Sequence, residues 1–232
     1  MLSHTFKFRL LFFILFVIGS ITATHARFHG LYIGANAGVT LLKGDHKYTN
    51  ASPKEGKVLF GDMSYILGLQ GGYMHYLADS KIVIGVELGF SILGLNVTKD
   101  LKVDGGPVEG KVNIRNRYKF GLALFAGMAI NPKVMMYAKL GYENNKFDLN
   151  YTHLTFQTPS YEKYSVSLRG LVPGAGLYYK LSPVLFVGAE YNYSLMKKTQ
   201  PRSDTTALNG ARRGYIFSPI QHRLVVKIVR VF

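Results

Sequence analysis

From residue 31 to residue 41 every second side chain is apolar: Leu31, Ile33, Ala35, Ala37, Val39 and Leu41. The intervening positions are Tyr32, Gly34, Asn36, Gly38 and Thr40, mostly small or polar. A repeat of two is the mark of an extended strand with two unlike faces, because successive side chains leave a strand on opposite sides. The pattern recurs seven times, over about residues 65–73, 82–92, 118–130, 134–142, 164–179, 185–193 and 224–232. Periodicity therefore predicts an all-β chain of eight strands. The 25 Gly and the Tyr- and Phe-rich aromatics suit strands, and the absence of Cys removes disulfides and thiolate metal sites.

The connections alternate in length. Residues 78–81, 131–133 and 181–184 make short turns. Residues 42–63, 96–114, 145–163 and 197–217 are expected to form four long loops. Short turns at one end and long loops at the other describe an up-and-down antiparallel barrel of the outer-membrane type. Prolines respect this map: Pro53, Pro107, Pro159 and Pro201 fall in the long connections, Pro132 and Pro183 in short ones. Pro173 falls inside the sixth strand. There the apolar phase also changes, from Tyr164, Val166 and Leu168 to Leu171, Ala175 and Leu177, and a bulge at 169–173 would explain both.

Alternation alone would also fit a soluble barrel with its apolar face inward. Here the polar face is crowded with Gly and carries only a few charges, as the narrow interior of an eight-stranded barrel requires. The apolar face carries large aliphatics, with Tyr65, Phe90, Tyr118, Tyr142, Tyr164 and Tyr193 towards one set of strand ends and Tyr179 and Phe232 at the other. Two aromatic girdles around an aliphatic band predict contact with lipid.

The N-terminal segment reads as an export signal. Lys7 and Arg9 precede an apolar run over residues 10–19, and Thr24, His25 and Ala26 supply a small-residue cleavage site. The run is about half of the roughly 20 residues a spanning helix needs. Residues 1–26 are expected to be removed, leaving a barrel domain over 27–232.

The chain ends in Leu224, Val225, Val226, Lys227, Ile228, Val229, Arg230, Val231 and Phe232. With segments such as Gly85-Val-Glu-Leu-Gly89 and Gly188-Ala-Glu-Tyr191, this ending resembles the eight-stranded outer-membrane barrels of Gram-negative bacteria, the family of the OmpA transmembrane domain and of OmpX-like and opacity-like proteins. The resemblance implies that Phe232 is a signal read by the barrel-assembly machinery. It also implies a structural or cell-surface role, such as adhesion or envelope integrity, in which the long loops meet host or surface ligands. A small pore and a lipid A-modifying enzyme are the alternatives.

Inside the barrel, Glu87, Lys139, Glu190 and Lys227 all fall on the inward phase at similar depth, with Asn36 beside them. Buried charges are costly unless paired. An internal belt is expected, with Glu190 and Lys227 on adjacent strands as the first pair; water-separated lumen charges are the other possibility. Arg117, Lys119 and Arg169 fall higher, towards the outer mouth.

The formal charge is +15, from 28 Lys+Arg against 13 Asp+Glu, without the clustered stripe or motif of a nucleic-acid module. An anionic lipid surface accounts better for it. In the fourth loop Lys197, Lys198, Arg202, Arg212 and Arg213 face only Asp204, and are expected to contact lipopolysaccharide phosphates. Residues 105–112 resemble a phosphate-binding loop but lack its Ser/Thr and its strand–helix setting. Neither H-E-x-x-H nor G-x-S-x-G occurs, and no motif calls for a catalytic residue, a cofactor or a metal.

Overall fold

The structure is a computed structural model and describes residues 28–49, 55–77, 80–102, 108–153, 160–197, 202–206 and 212–232. The strands are β1 (Gly30–Thr49), β2 (Glu55–Leu77), β3 (Ile82–Leu93), β4 (Asn96–Lys102) and β5 (Val108–Asn131), then β6 (Val134–His153), β7 (Ser160–Lys180), β8 (Leu185–Met196), β9 (Arg202–Thr206) and β10 (Arg212–Val231). Eight of them form an antiparallel ring in the order β1-β2-β3-β5-β6-β7-β8-β10, closed by pairing of β10 with β1. The two short strands sit on its rim: β4 resumes beside β5 after β3 breaks at Gly94 and Leu95, and β9 pairs the start of β10.

Following paired residues around the ring gives Ile33, Gly71, Leu88, Leu122, Tyr142, Leu171, Leu195 and Ile220, and then Lys43 on β1 again. The row has climbed ten residues, Ile33 to Lys43, in one circuit. Such a shear goes with strands tilted by about 35–45° to the barrel axis.

Along the middle of every strand the apolar phase faces out. Leu69, Leu124, Leu140, Leu171 and Leu224 are each more than half exposed, an arrangement that only lipid makes favourable. Tyr65, Phe90, Tyr118 and Tyr142 also face out.

Towards the long-hairpin end the polarity inverts. Leu42, Leu95, Val97, Val112, Ile114, Phe147, Leu149, Tyr151, Leu168 and Phe217 turn inward as a buried apolar cluster, with Tyr164 and Val166 packed against it. Here the outer wall carries Lys43, Lys111, Arg115 and Arg117. The inversion corrects three expectations. Much of the sequence expected as loops continues as paired strand, for β1 and β2 out to Thr49↔Glu55 and for β6 and β7 out to His153↔Ser160. Beyond the lipid a strand no longer needs an apolar outer face, so the alternation changes sense and reads as loop. Tyr164 belongs to this interior, not to a girdle. The phase change in β7 is likewise a change of surroundings. Its pairing with β6 runs without a shift through Arg169 and Pro173, so there is no bulge there; the ladder to β8 skips Val172 and Pro173 and resumes in register. The register does shift in β5 between Asn116 and Tyr118, which turns both Arg117 and Tyr118 outward.

The glycines of the inner face have a specific use. Tyr32 lies over Gly72, Phe125 over Gly85, Tyr137 over Gly176 and Tyr178 over Gly188, each ring where a Cβ would stand. The short-turn end is thus filled by aromatic rings laid flat against bare backbone, and Tyr137 and Tyr178 stack with centroids 5.2 Å apart.

Candidate functional site: the ionic core of the barrel

The inward phase of β3, β6, β8 and β10 brings Glu87, Lys139, Glu190 and Lys227 to the centre of the barrel. Lys139 Nζ lies 2.8 Å from Glu87 and 2.6 Å from Glu190. Lys227 Nζ lies 2.5 Å from Glu190 and 3.2 Å from Glu87. Each lysine bridges both glutamates, so the four side chains form a neutral ring of alternating sign. Glu87, Glu190 and Lys227 are buried, the last two each 2% exposed, and Lys139 is partly buried. At such depth a carboxylate or ammonium persists only with its charge and hydrogen-bonding capacity met. The aromatic layer below helps: Tyr137 donates to Glu190 at 2.7 Å and Tyr32 to Glu87 at 3.1 Å. Asn192 donates to Glu190 at 2.7 Å.

Asn36 does not touch the ring. It donates to Gln70 at 3.3 Å, and Gln70 donates to Tyr178 Oη at 3.3 Å, in the aromatic layer beside the ring.

A second ionic tier lies nearer the long-hairpin end. Glu143 accepts from Arg223 Nη1 at 2.7 and 2.9 Å, from Asn145 at 2.9 Å and from Ser194. Lys119 adds a looser contact at 3.5 Å. A polar cavity of about 60 Å³ is bounded by residues of both tiers, among them Asn36, Glu87, Lys119, Glu143 and Arg223, and has room for a few waters at most. Glu143 and Arg223 lie on the inward phase of β6 and β10, and their partnership follows from the climb of the hydrogen-bond row, which sets their heights. Of the three residues expected at the mouth, only Lys119 points inward. Arg117 turns outward to Asp148 at 2.5 Å because of the β5 bulge, and Arg169 is exposed on the outer wall.

Of the fourth-loop cations, Lys197 is exposed at the end of β8. Lys198 lies outside the described residues, as do the side chains of Arg202, Arg212 and Arg213. The expected signal, residues 1–26, also lies outside them. Phe232 closes the barrel seam: its N–H donates to Leu31 O at 2.8 Å, and the Arg230 guanidinium lies 5.5 Å from its ring centroid.

Among solved structures, the chain is similar to the outer membrane protein OprG from Pseudomonas aeruginosa, at 16% identity and a TM-score of 0.56 over 86% of this chain and 95% of that one. It is also similar to Neisserial surface protein A, at 14% identity and a TM-score of 0.48 over 88% and 97% of the two chains. The outer membrane protease OmpT from Escherichia coli matches at 10% identity and a TM-score of 0.47 over 91% and 99%. No curated protein matches. The family model described as the outer membrane protein β-barrel domain matches residues 11–216, and the chain belongs to that family.

Proposed function

We propose that this chain is a closed, non-enzymatic outer-membrane barrel with a structural or surface-interaction role, holding four paired hairpin extensions at the cell surface. The observation that carries the closed state is the ring of Glu87, Lys139, Glu190 and Lys227, in which every charge is bonded across the lumen. A conducting pore keeps its charges on the wall and water on the axis; here the side chains themselves occupy the axis. The test is conductance in planar bilayers. Wild-type protein should leave the bilayer near its baseline, and a Lys139→Ala/Glu87→Ala variant, with half the ring removed, should conduct more. Steady ohmic steps from the wild type would favour the pore.

The non-enzymatic reading rests on how the ionisable interior is used, since each inner carboxylate is engaged by cations that also hold the barrel walls together. Among the described residues, two histidines sit against tyrosines on the outer face: His222 Nδ1 lies 2.8 Å from Tyr191 Oη, and His29 Nε2 lies 3.4 Å from Tyr73 Oη. Lipid mass spectrometry of cells expressing the chain tests the lipid A-modifying alternative.

Export by removal of residues 1–26 and recognition of Phe232 by the barrel-assembly machinery complete the proposal. Deleting Phe232 removes one backbone bond at the β1–β10 seam and a girdle ring. A net contribution of about 1 kcal/mol from that bond leaves the folded barrel largely intact. A sharp fall in outer-membrane yield, with little change in the stability of the protein that does fold, is therefore the expected signature of a recognition signal. Equal loss of both would make Phe232 a purely structural residue.

A further inference from the structure

The two ionic tiers differ in charge balance. In the lower ring two lysines meet two glutamates, and the sum is zero. In the upper tier Arg223 and Lys119 share Glu143 alone. That carboxylate is already well occupied. Arg223 Nη1 donates to both of its oxygens, and Asn145 and Ser194 donate to Oε1. Lys119 is left with one long contact, 3.5 Å to Oε2. An ammonium carries three donors, so two of those on Lys119 meet no acceptor among the described residues. Arg223, 1% exposed, adds another unused donor: its Nε–H has no acceptor among them either.

Both side chains line the polar cavity of about 60 Å³ between the tiers. Its border carries four cations, Lys119, Lys139, Arg223 and Lys227, against three carboxylates, Glu87, Glu143 and Glu190. The balance is one positive charge, enclosed by a wall whose outer face is apolar. A charge held there is costly unless an opposite one stands beside it. Water satisfies donors but brings no charge, and the apolar cluster above the cavity supplies none.

We infer that this cavity binds a single halide ion, chloride under ordinary conditions, between Lys119 and Arg223. Charge and size select the ligand together. One surplus positive charge calls for a monovalent anion. A space of about 60 Å³ takes one monatomic ion with a water beside it, and is too small for a phosphorylated or multi-carbon anion. The ion would complete the upper tier as the second glutamate completes the lower. The inference rests on the closed-lumen reading above, since an open channel would leave the same cations to bulk solvent.

The test uses protein purified from cells expressing the full chain, unfolded in urea and refolded in detergent micelles. Chloride replaces gluconate, a six-carbon anion, at constant ionic strength, so that general screening is unchanged. A ligand that binds only the folded state raises the folded-to-unfolded ratio, roughly tenfold between about 1 and about 100 mM chloride for a site half-filled at about 10 mM. Wild type should show this rise, and bromide should reproduce it. Lys119→Met, which leaves Glu143 and Arg223 as a neutral pair, should lose it. Lys43→Gln, on the outer wall, should keep it. Heat-modifiable gel mobility verifies that each variant is a folded barrel. Crystals of wild type refolded in bromide should show an anomalous peak in the cavity beside Lys119 and Arg223, which keeps the inference testable if Lys119→Met does not fold. A wild type indifferent to chloride, as when Lys119 sheds its proton instead, overturns the inference. So does an undiminished chloride effect in Lys119→Met, an equal loss in Lys43→Gln, or a cavity without bromide. A bromide peak with no chloride effect in micelles means binding at crystal concentration only, and overturns it as well. Bilayer conductance reports separately on the parent reading: ohmic steps from wild type defeat the closed lumen, whereas a silent wild type without chloride dependence defeats only the ion site.

Discussion

Replacing Lys227 with Met should destabilise the folded barrel by about 3–5 kcal/mol, the range for removing one partner from a buried ion pair. The loss is large because Lys227 serves two carboxylates, Glu190 at 2.5 Å and Glu87 at 3.2 Å, and both then lean on Lys139 alone. Urea unfolding in detergent micelles measures it. Adding Glu190→Gln should recover much of the loss, because Glu87 and Lys139 remain as a neutral pair at 2.8 Å. A charge reversal, Lys227→Glu with Glu190→Lys, should rescue Lys227→Glu only in part, since the new glutamate still faces Glu87. A Lys227→Met variant within about 0.5 kcal/mol of wild type, the scatter of ordinary surface substitutions, would remove the ring from the account of stability.

Phe147→Ala should cost about 3–5 kcal/mol of packing, the usual range for truncating a buried Phe, but in a different place. Phe147 is fully buried in the apolar cluster at the long-hairpin end and meets Phe217 edge-on at 5.4 Å. The ionic tiers lie below that cluster, so the membrane-embedded part should stay folded while the hairpins loosen. The readout is protease treatment of intact cells: faster cleavage of surface hairpins, with the protected barrel fragment unchanged. In contrast Leu124→Ala, on the lipid-facing wall, should leave hairpin cleavage as it is. Loss of the whole barrel on Phe147→Ala would mean that the two interiors fold as one unit.

The ring of eight strands was legible because lipid imposes one rule along the middle of every strand. Leu67, Leu88, Leu122 and Val226 obey it without exception, and period-two counting suffices. Glu87, Lys139, Glu190 and Lys227 were legible as inward residues for the same reason. The ten-residue climb was not, because register is a relation between strands. Hence Lys119 was legible as a mouth residue, yet the tier it shares with Glu143 and Arg223 was not. The extensions of β1, β2, β6 and β7 were missed where the rule reverses: Phe147 and Leu149 are apolar and inward, as a soluble protein would have them. The β5 bulge, which shifts pairing by one residue between Asn116 and Tyr118, leaves no trace that distinguishes it from a change of environment.

The inversion of polarity along the strands also acts as a depth gauge. Below it the barrel is stable only if wrapped in hydrocarbon, and above it only if bathed in water. Sliding the protein inward by one turn of the pleat would carry Arg115, Lys146 and Arg169 into acyl chains, where each costs up to about 2–4 kcal/mol as it nears the midplane. Sliding it outward would strip lipid from Tyr118, Phe120 and Tyr142. The vertical position is thus set by the wall itself, without an anchor, and a bilayer thinner or thicker than this band should adapt to the protein.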